Sequence, residues 1–499
     1  MTRRQAAALS VLAAAVFLVA VDGTVLAVAV PSLAVDLKPS YTQILWISDI
    51  YSFVLAGLLV TMGNLGDRFG RKRLLMLGAL GFGAMSVVAA YAPTPELLIA
   101  ARAVQGFAGA TLMPSTLALI RAVFTESRQR TLAIGIWSAT GSAGASIGPF
   151  VAGLLLEHFW WGSVFLINVP VVAYIVVVGV RVLPESRGDS RQPIDIISVV
   201  LSTVGILGVV YAVKEVARGN VASYPPWLAL AAALLMLAAF AVRQRRLTVP
   251  LLDFALFRVK AFAGAVTAEF VMVFSATGLL FFLALYFQLV SSFTPLAAGA
   301  ATLPVSLVSA ATAPVAGRFA HRFTARRVLM FGLGITALGL ALLSAGEGHG
   351  YLALVPSMML VGCGFGCVLT VASDEAISAA PPDRTGAAGG ISETAFELGA
   401  AMGIALLGSL LTYVYRSRLV LPPGLTADVS AAANDSLSNI PELLSGLPPA
   451  TGEALLVAGR SAFTSGLVTA SLAAAGLAAA TAFVVGRILP KGARREVHT

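Results

Sequence analysis

Charge is what this chain has least of. Only 11% of its 499 residues are Asp, Glu, Lys or Arg, against 58% apolar ones, where a soluble domain carries about 25% charge. Apolar runs of about twenty residues recur from end to end, and each is long enough to cross a bilayer. An ordinary soluble fold is thereby excluded. Cysteine is scarce too: Cys363 and Cys367 stand one helical turn apart in an apolar run. That spacing suits a disulfide poorly and leaves either a soft-metal pair or, the reading preferred here, two small packing residues. The four histidines, His158, His321, His349 and His498, all fall in loops or tails, so carboxylates must do any titrating inside the membrane. No Gly-Lys-Ser/Thr phosphate loop and no metal-ligand cluster stands out. The chain is therefore expected to be no enzyme, to hold no metal and to need no cofactor.

What is present is an all-α polytopic pattern. Fourteen spans are predicted, at about 9–31, 43–66, 73–92, 96–121, 132–157, 162–182, 194–213, 226–242, 261–290, 296–318, 327–345, 350–379, 386–414 and 460–487. The opening run holds Asp22 and reaches Pro31, which reads as a first span better than as a cleaved leader. With both termini inside, inner loops and tails carry 26 of the basic residues and outer loops six. The positive-inside rule then puts the termini in the cytoplasm, and the same distribution accounts for the +9 net charge without a nucleic-acid partner. The one long outer connection, about 415–459, reads either as a short external cap or as a mobile polar loop.

An internal repeat divides the chain. Gly63–Met76 aligns without gaps on Gly317–Met330, 254 residues on, with six of fourteen positions identical. Both copies sit between the second and third spans of a six-span unit. The reading is six plus two plus six: a first half over 1–190, two linking spans over 191–250 and a second half over 251–499. Repeated halves about a central site are a transporter architecture.

Acids inside the spans point to where that site is. Glu393 and Glu397 are four residues apart in one apolar run, so they share a helix face. A charged acid near a bilayer centre costs at least ~2.5 kcal/mol, and such groups usually face a bundle interior or a water-filled cavity. Asp22 lies mid-span in the first helix, and Arg102 lies in the fourth, where it needs a partner or backbone acceptors. Asp49 either binds substrate or faces the outer vestibule. Glu269 either adds negative charge to the cavity or is structural. Phe270, Phe274, Phe281, Phe282, Tyr286 and Phe287 either stack on flat cations or simply pack. At the cytoplasmic turn, Gly63, Asp67, Arg68, Gly70 and Arg71 combine tight-turn glycines with an acid among bases. There Asp67 can pair with a base or cap a neighbouring helix, latching the halves together. Asp374 and Glu375 read as interfacial or latch residues. Gly141, Gly144, Gly148 and Gly153 with Pro149 make a small-residue face for close helix contact and a bend.

The Gly63–Met76 turn resembles the signature between the second and third helices of the major facilitator superfamily. Leu98–Gly106 resembles its fourth-helix motif with a buried arginine, and Gly141–Gly153 the fifth-helix motif associated with antiporters. Asp22–Pro31 resembles the first-helix motif of the fourteen-span drug:proton antiporters, with Ala27 where an asparagine is usual. Trp46–Tyr51 and Ser392–Gly399 resemble stretches of the quaternary-ammonium and dye efflux pumps. The resemblance implies a proton-driven exporter of lipophilic cations in a bacterial cytoplasmic membrane, acting as a monomer. Asp22, Arg102, Glu393 and Glu397 would couple protons. Asp22, Asp49, Glu269, Glu393, Glu397, Phe274 and Tyr286 would line the substrate path. Gly63, Asp67, Arg68, Gly70, Arg71, Gly144, Gly148 and Pro149 would gate it. The competing expectations are an exporter of an endogenous metabolite or lipid, or a membrane sensor that does not transport.

Overall fold

The computed structural model describes residues 1–39, 41–187, 195–217, 223–247, 254–345, 350–381 and 385–489. Within some helices the side chains of single residues are outside the description; among those singled out above these are Ala27, Asp49 and His321. The loop and tail residues His349 and His498 also lie outside the described residues.

The described residues are helical throughout, with no strand among them. In order the helices are α1 Arg3–Leu37, α2 Tyr41–Phe69, α3 Arg71–Ala90, α4 Pro95–Val123, α5 Ser127–His158, α6 Ser163–Leu166, α7 Asn168–Val182, α8 Ile196–Ala217 and α9 Tyr224–Gln244. They continue with α10 Ala255–Arg258, α11 Lys260–Leu289, α12 Pro295–Ala301, α13 Leu303–Phe323, α14 Ala325–Ala345, α15 Tyr351–Ala379, α16 Thr385–Arg418, α17 Ala427–Asp435, α18 Ile440–Leu443 and α19 Pro449–Ile488. Thirteen spans among the described residues are long and apolar enough to cross a membrane. In α8 the qualifying apolar stretch, Ile197–Val209, is shorter. An apolar helix satisfies its own backbone hydrogen bonds, which a bilayer requires of anything that crosses it.

Packing gathers these helices round two main cores. Leu12, Leu59, Phe82, Leu112, Phe124 and Ile175 belong to the first, built from α1–α7. Phe262, Met272, Phe287, Leu340, Val368 and Leu467 belong to the second, built from α11–α19. Helices α8 and α9 pack on each other, with Gly208 facing Ala233 and Gly205 facing Leu237. Along its other side α8 meets α2 and α16, where Ile206 joins Phe53 and Ala56. Small residues let the two cores approach. A Cβ on Gly390 of α16 would stand 2.7 Å from the Leu59 carbonyl oxygen of α2, and one on Gly135 of α5 2.7 Å from that of Ala313 in α13. Such contacts matter in lipid, where helix association rests on close packing rather than on hydrophobic exclusion.

The repeat keeps its register in three dimensions. Helix α2 ends at Phe69 and α3 starts at Arg71; 254 residues on, α13 ends at Phe323 and α14 starts at Ala325. The single residues between them, Gly70 and Thr324, both take positive φ, +112° and +84°. Glycine accepts that conformation freely, whereas a β-branched threonine does so only under strain.

Helix α16 runs on to Arg418 and α19 begins at Pro449, so the long connection predicted at 415–459 shortens to 419–448, and that stretch forms a helical cap. Leu437 and Ile440 are buried beside Leu455 of α19, and the Tyr415 hydroxyl donates to the Ala433 carbonyl at 2.7 Å.

Candidate functional site

Three polar assemblies stand out in this apolar frame. The first is sealed inside the α1–α7 core. Asp22 is 0% exposed and Arg102 1%. An Arg102 Nη1 donates to Asp22 Oδ2 at 2.5 Å and to Gln105 Oε1 at 2.8 Å. Asp22 Oδ1 accepts from Gln105 Nε2 at 3.0 Å and from Asn168 Nδ2 at 2.8 Å. Both amides also donate to Ser86 Oγ, at 2.9 and 3.1 Å. The guanidinium lies over the Tyr51 ring, 4.4 Å from its centroid. A buried ion pair persists only when hydrogen bonds satisfy what the pairing leaves over, and helices α1, α3, α4 and α7 each supply part of that. Arg102 Nε is buried with no hydrogen-bond partner among the described residues. A cation reaching Asp22 would have to displace this arginine.

The second assembly is carboxylate-rich and lies in the other core. Glu269 of α11 is 2% exposed and Glu393 of α16 5%. Ser373 Oγ of α15 donates to Glu269 Oε1 at 3.3 Å, and Ser392 Oγ of α16 donates to Oε2. Glu393 lies within electrostatic reach of both Glu269 and Glu397. Glu397 is half-buried one turn further along α16. Tyr51, on whose ring the Arg102 guanidinium lies, is within electrostatic reach of both Asp22 and Glu397. Among the described residues no basic side chain forms an ion pair with Glu269 or Glu393. The α11–α16 interface is tight here: a Cβ on Gly399 would stand 2.7 Å from the Phe270 carbonyl oxygen.

The third assembly joins the cores at the α2–α3 end. Asp67 Oδ1 accepts from Arg71 Nε at 2.8 Å, with Nη2 at 2.7 Å. Its Oδ2 accepts from the backbone N–H of Ala387 at 3.1 Å, in the first turn of α16, where helix N–H groups lack intrahelical partners. Arg71 Nη1 donates to Ser186 Oγ at 2.9 Å. Nearby, Arg130 Nε of α5 donates to Asp374 Oδ1 at 2.9 Å and Thr131 Oγ1 to Asp374 Oδ2 at 2.8 Å. Arg121 Nη1 of α4 donates to the carbonyls of Ile377 and Ala380. Both α2 and α5 of one core are therefore tied to α16 and α15 of the other.

Several sequence-predicted residues meet in these assemblies: Asp22 with Arg102, Glu269 with Glu393 and Glu397, and Asp67 with Arg71. Phe274 is buried in α11 one turn beyond Phe270, on whose ring it stacks with centroids 6.3 Å apart; among the described contacts none joins it to the carboxylates. Tyr286 does not join them. It packs in the second core seventeen residues beyond Glu269, about 25 Å along a helix rising ~1.5 Å per residue. Gly144 and Gly148 pack α5 against α1, with Phe17 and Val21 as neighbours, while Pro149 is half-buried within α5. Gly63 is buried in α2, and Arg68 covers the Phe69 ring at 5.1 Å. Asp49 lies on α2 with its side chain outside the described ones. Sequence reasoning missed Ser86, Asn168, Ser373 and Arg130. For Ser86, Asn168 and Ser373 a polar residue inside an apolar run was the signal, too common in membrane helices to single out, and Arg130 was one of many basic residues in a charged turn.

The family model described as Major Facilitator Superfamily matches residues 12–404. The chain is 43% identical over 480 residues to the multidrug efflux pump LfrA of Mycolicibacterium smegmatis, covering 96% of this chain and 95% of that one. It is 38% identical over 450 residues to the methyl viologen resistance protein SmvA of Salmonella typhimurium, covering 89% and 90%. The crystal structure of the human organic anion transporter MFSD10 (TETRAN) superposes with a TM-score of 0.62 at 15% identity, covering 96% of this chain and all of that one, a likeness of fold alone.

Proposed function

This chain belongs to the major facilitator superfamily, and we propose that within it the protein is a proton-coupled antiporter exporting lipophilic cationic compounds. It is a transporter, a multi-pass membrane protein and no enzyme, and its relatives include a multidrug efflux pump and a methyl viologen resistance protein. The proton coupling, the cationic substrates, the fourteen spans, the six-plus-two-plus-six division and the cytoplasmic placement of both termini are our reading.

The observation that carries this reading is the Glu269–Glu393–Glu397 group. Two of these carboxyls are buried within the apolar core, and serine hydroxyls hold one of them. Closely spaced acids in a poorly solvated site do not all ionise together without a counter-charge. Two species neutralise them, a proton or a lipophilic cation, and occupancy by one disfavours the other. That competition, at a site whose access alternates between the two sides, couples the two movements. On this reading Glu393 and Glu397 receive the cation, with Glu269 tuning their charge and Phe274 offering a ring face. Asp22 and Arg102 form the coupling pair of the first half, linked to the acids through Tyr51. The Asp67–Ala387 and Arg130–Asp374 contacts close the cytoplasmic face, which must open once in each cycle for a cation to enter.

The test is ethidium-dependent proton release by the protein in detergent and ethidium/proton exchange in proteoliposomes. Glu393→Gln should lose both. Retained efflux of a neutral substrate by that variant, with cation exchange gone, would instead make the acids a proton relay serving other cargo.

A further inference from the structure

Two helices carry both the carboxylate group and the latch. On α15, Ser373 and Asp374 are consecutive, with Cα atoms about 3.8 Å apart, yet they serve different cores. Ser373 Oγ donates to Glu269 Oε1 of α11 at 3.3 Å, while Asp374 accepts from Arg130 Nε and Thr131 Oγ1 of α5 at 2.9 and 2.8 Å. On α16, Ser392 Oγ donates to Glu269 Oε2. Ala387, whose N–H bonds Asp67 of the other core, lies five residues earlier, about 7.5 Å along the helix axis. One carboxyl of α11 thus holds, through its two oxygens, the two helices on which the latch is mounted.

The surroundings of Glu269 leave that hold to the serines. It is buried, and helices α10, α12, α14, α15, α16 and α19 pack on α11. From α16, Glu393 is within electrostatic reach, and Glu397 acts on Glu393 in turn. From α15, Asp374 is bound to Arg130, Glu375 follows it, and Cys367 lies against Gly332 of α14. Helices α10, α14 and α19 place their charges at or near their ends: Arg258, then Arg326 with Arg327, then Glu453, Arg460 and Arg487. Lys260 opens α11 itself, and α12 carries no charge. Among the described residues none of these bases forms an ion pair with Glu269. An ionised carboxyl accepts from both serines, and hydrogen bonds to a charged group are roughly twice as strong as neutral ones. A proton arriving on one oxygen turns that oxygen into a donor. The serine facing it must rotate to accept, and the bond to the other oxygen loses its charge.

We propose that Glu269 is a positioning residue that couples the charge of the acid group to the latch. Ionised, it clamps α15 and α16 on α11 with the latch closed; protonated, it loosens both helices and the latch opens. The proposal rests on the antiport reading only for the order of events. There, an incoming proton opens the cytoplasmic face, and a cation that leaves Glu269 ionised keeps that face closed behind it.

The experiment uses the full chain in lipid nanodiscs, with spin labels on Phe69→Cys and Phe323→Cys, exposed at the latched end of opposite cores, in a Cys363→Ser/Cys367→Ser background. Pulsed dipolar spectroscopy reads the ratio of long to short distances across a pH series. In the wild type the ratio should rise about tenfold from alkaline to acid pH. Glu269→Gln, which cannot ionise, should hold the acid-side ratio at every pH. Ser373→Ala/Ser392→Ala, which keeps the carboxyl without its clamp, should flatten the response to less than about threefold, while Glu393→Gln should keep it. A merely structural role for Glu269 would lower the unfolding temperature of Glu269→Gln without making its distances independent of pH. A wild-type ratio that does not change with pH overturns the proposal. So does a full response surviving in Glu269→Gln, which would belong to Asp67 or Asp374. Should Glu269→Gln fail to fold, a wild-type response in the double serine variant overturns it. Ethidium-driven proton release by the same wild-type protein separates the two readings. With no release but the expected pH series, the clamp stands and the cation reading falls; with normal release but a flat series, the reverse holds.

Discussion

Asp67→Asn isolates the latch. In the wild type, Asp67 accepts two contacts from Arg71 on its own side and one, at 3.1 Å, from the Ala387 N–H of the other core. Of these three, the last ties the cores together. Asparagine keeps the size but removes the charge, so a charge-assisted bond becomes a neutral one or is lost. Hydrogen bonds to charged groups contribute roughly 1.5–3 kcal/mol against 0.5–1.5 for neutral ones, so the loss to the closed state is about 1–2 kcal/mol. Every 1.4 kcal/mol is tenfold in a ratio, so open over closed should rise about five- to thirtyfold. Arg130–Asp374 and Arg121 still hold the closed form, which keeps the change graded. Spin labels on Phe69→Cys and Phe323→Cys report it, because both positions are exposed at the latched end of opposite cores. The background is Cys363→Ser and Cys367→Ser. Pulsed dipolar spectroscopy should show a longer-distance population growing in Asp67→Asn, and growing further with Asp374→Asn added. A distance distribution identical to wild type in the double variant would refute the latch.

Other outcomes follow from the same geometry. Arg102→Gln leaves Asp22 buried without its cation, a loss of roughly 3–5 kcal/mol; the yield of folded protein should collapse and recover in part in Asp22→Asn/Arg102→Gln, read by size-exclusion profile. Gly70→Ala forces a side chain onto φ +112° with its Cβ 2.6 Å from Glu185 Oε1, whereas Thr324→Gly relieves φ +84°; each changes stability by about 1–3 kcal/mol, so thermal unfolding should fall in the first and rise in the second. Asp195, beyond the start of α8, accepts from Arg243 Nε at 2.6 Å, and this hydrogen bond, with one from Ser198, holds its carboxyl down to about 2. A depressed folded value means the stabilisation is complete above the ordinary aspartate range and is lost as pH falls towards 2. The gap in unfolding temperature between wild type and Asp195→Asn should therefore be flat from about pH 5 to 8 and narrow only in stronger acid.

How much of this was legible beforehand depended on whether the signal was periodic. Long apolar runs declare helices, and the Gly63 and Gly317 stretches align closely enough to place both turns to the residue. The interruptions at Ile167 and Thr302 had a local signal that the span count passed over: Pro170 and Pro304 follow within three residues and lack the N–H that would bond back across the break. Asp22 and Arg102 each announced a need for a partner. Their supporting amides could not be read, because Gln105 and Asn168 converge from two helices and no local pattern encodes that meeting. The Gly141–Gly153 face was visible as small residues, but it packs α5 on α1 within one core. Contacts between the cores fall instead to Gly135, Gly317 and Gly390, whose role emerges only once two distant helices are set side by side. Glu393 and Glu397 were readable as one helix face; their neighbour Glu269, more than a hundred residues earlier, was readable only as an isolated buried acid.

The carboxylate group is the centre of the account, and proton release on adding ethidium to unbuffered, detergent-solubilised protein tests it most directly. Wild type should acidify the medium in proportion to bound dye, and Glu393→Gln and Glu397→Gln should each abolish the release, with Glu269→Gln shifting the pH at which it occurs. Wild-type release from both the Glu393→Gln and the Glu397→Gln proteins would contradict the account.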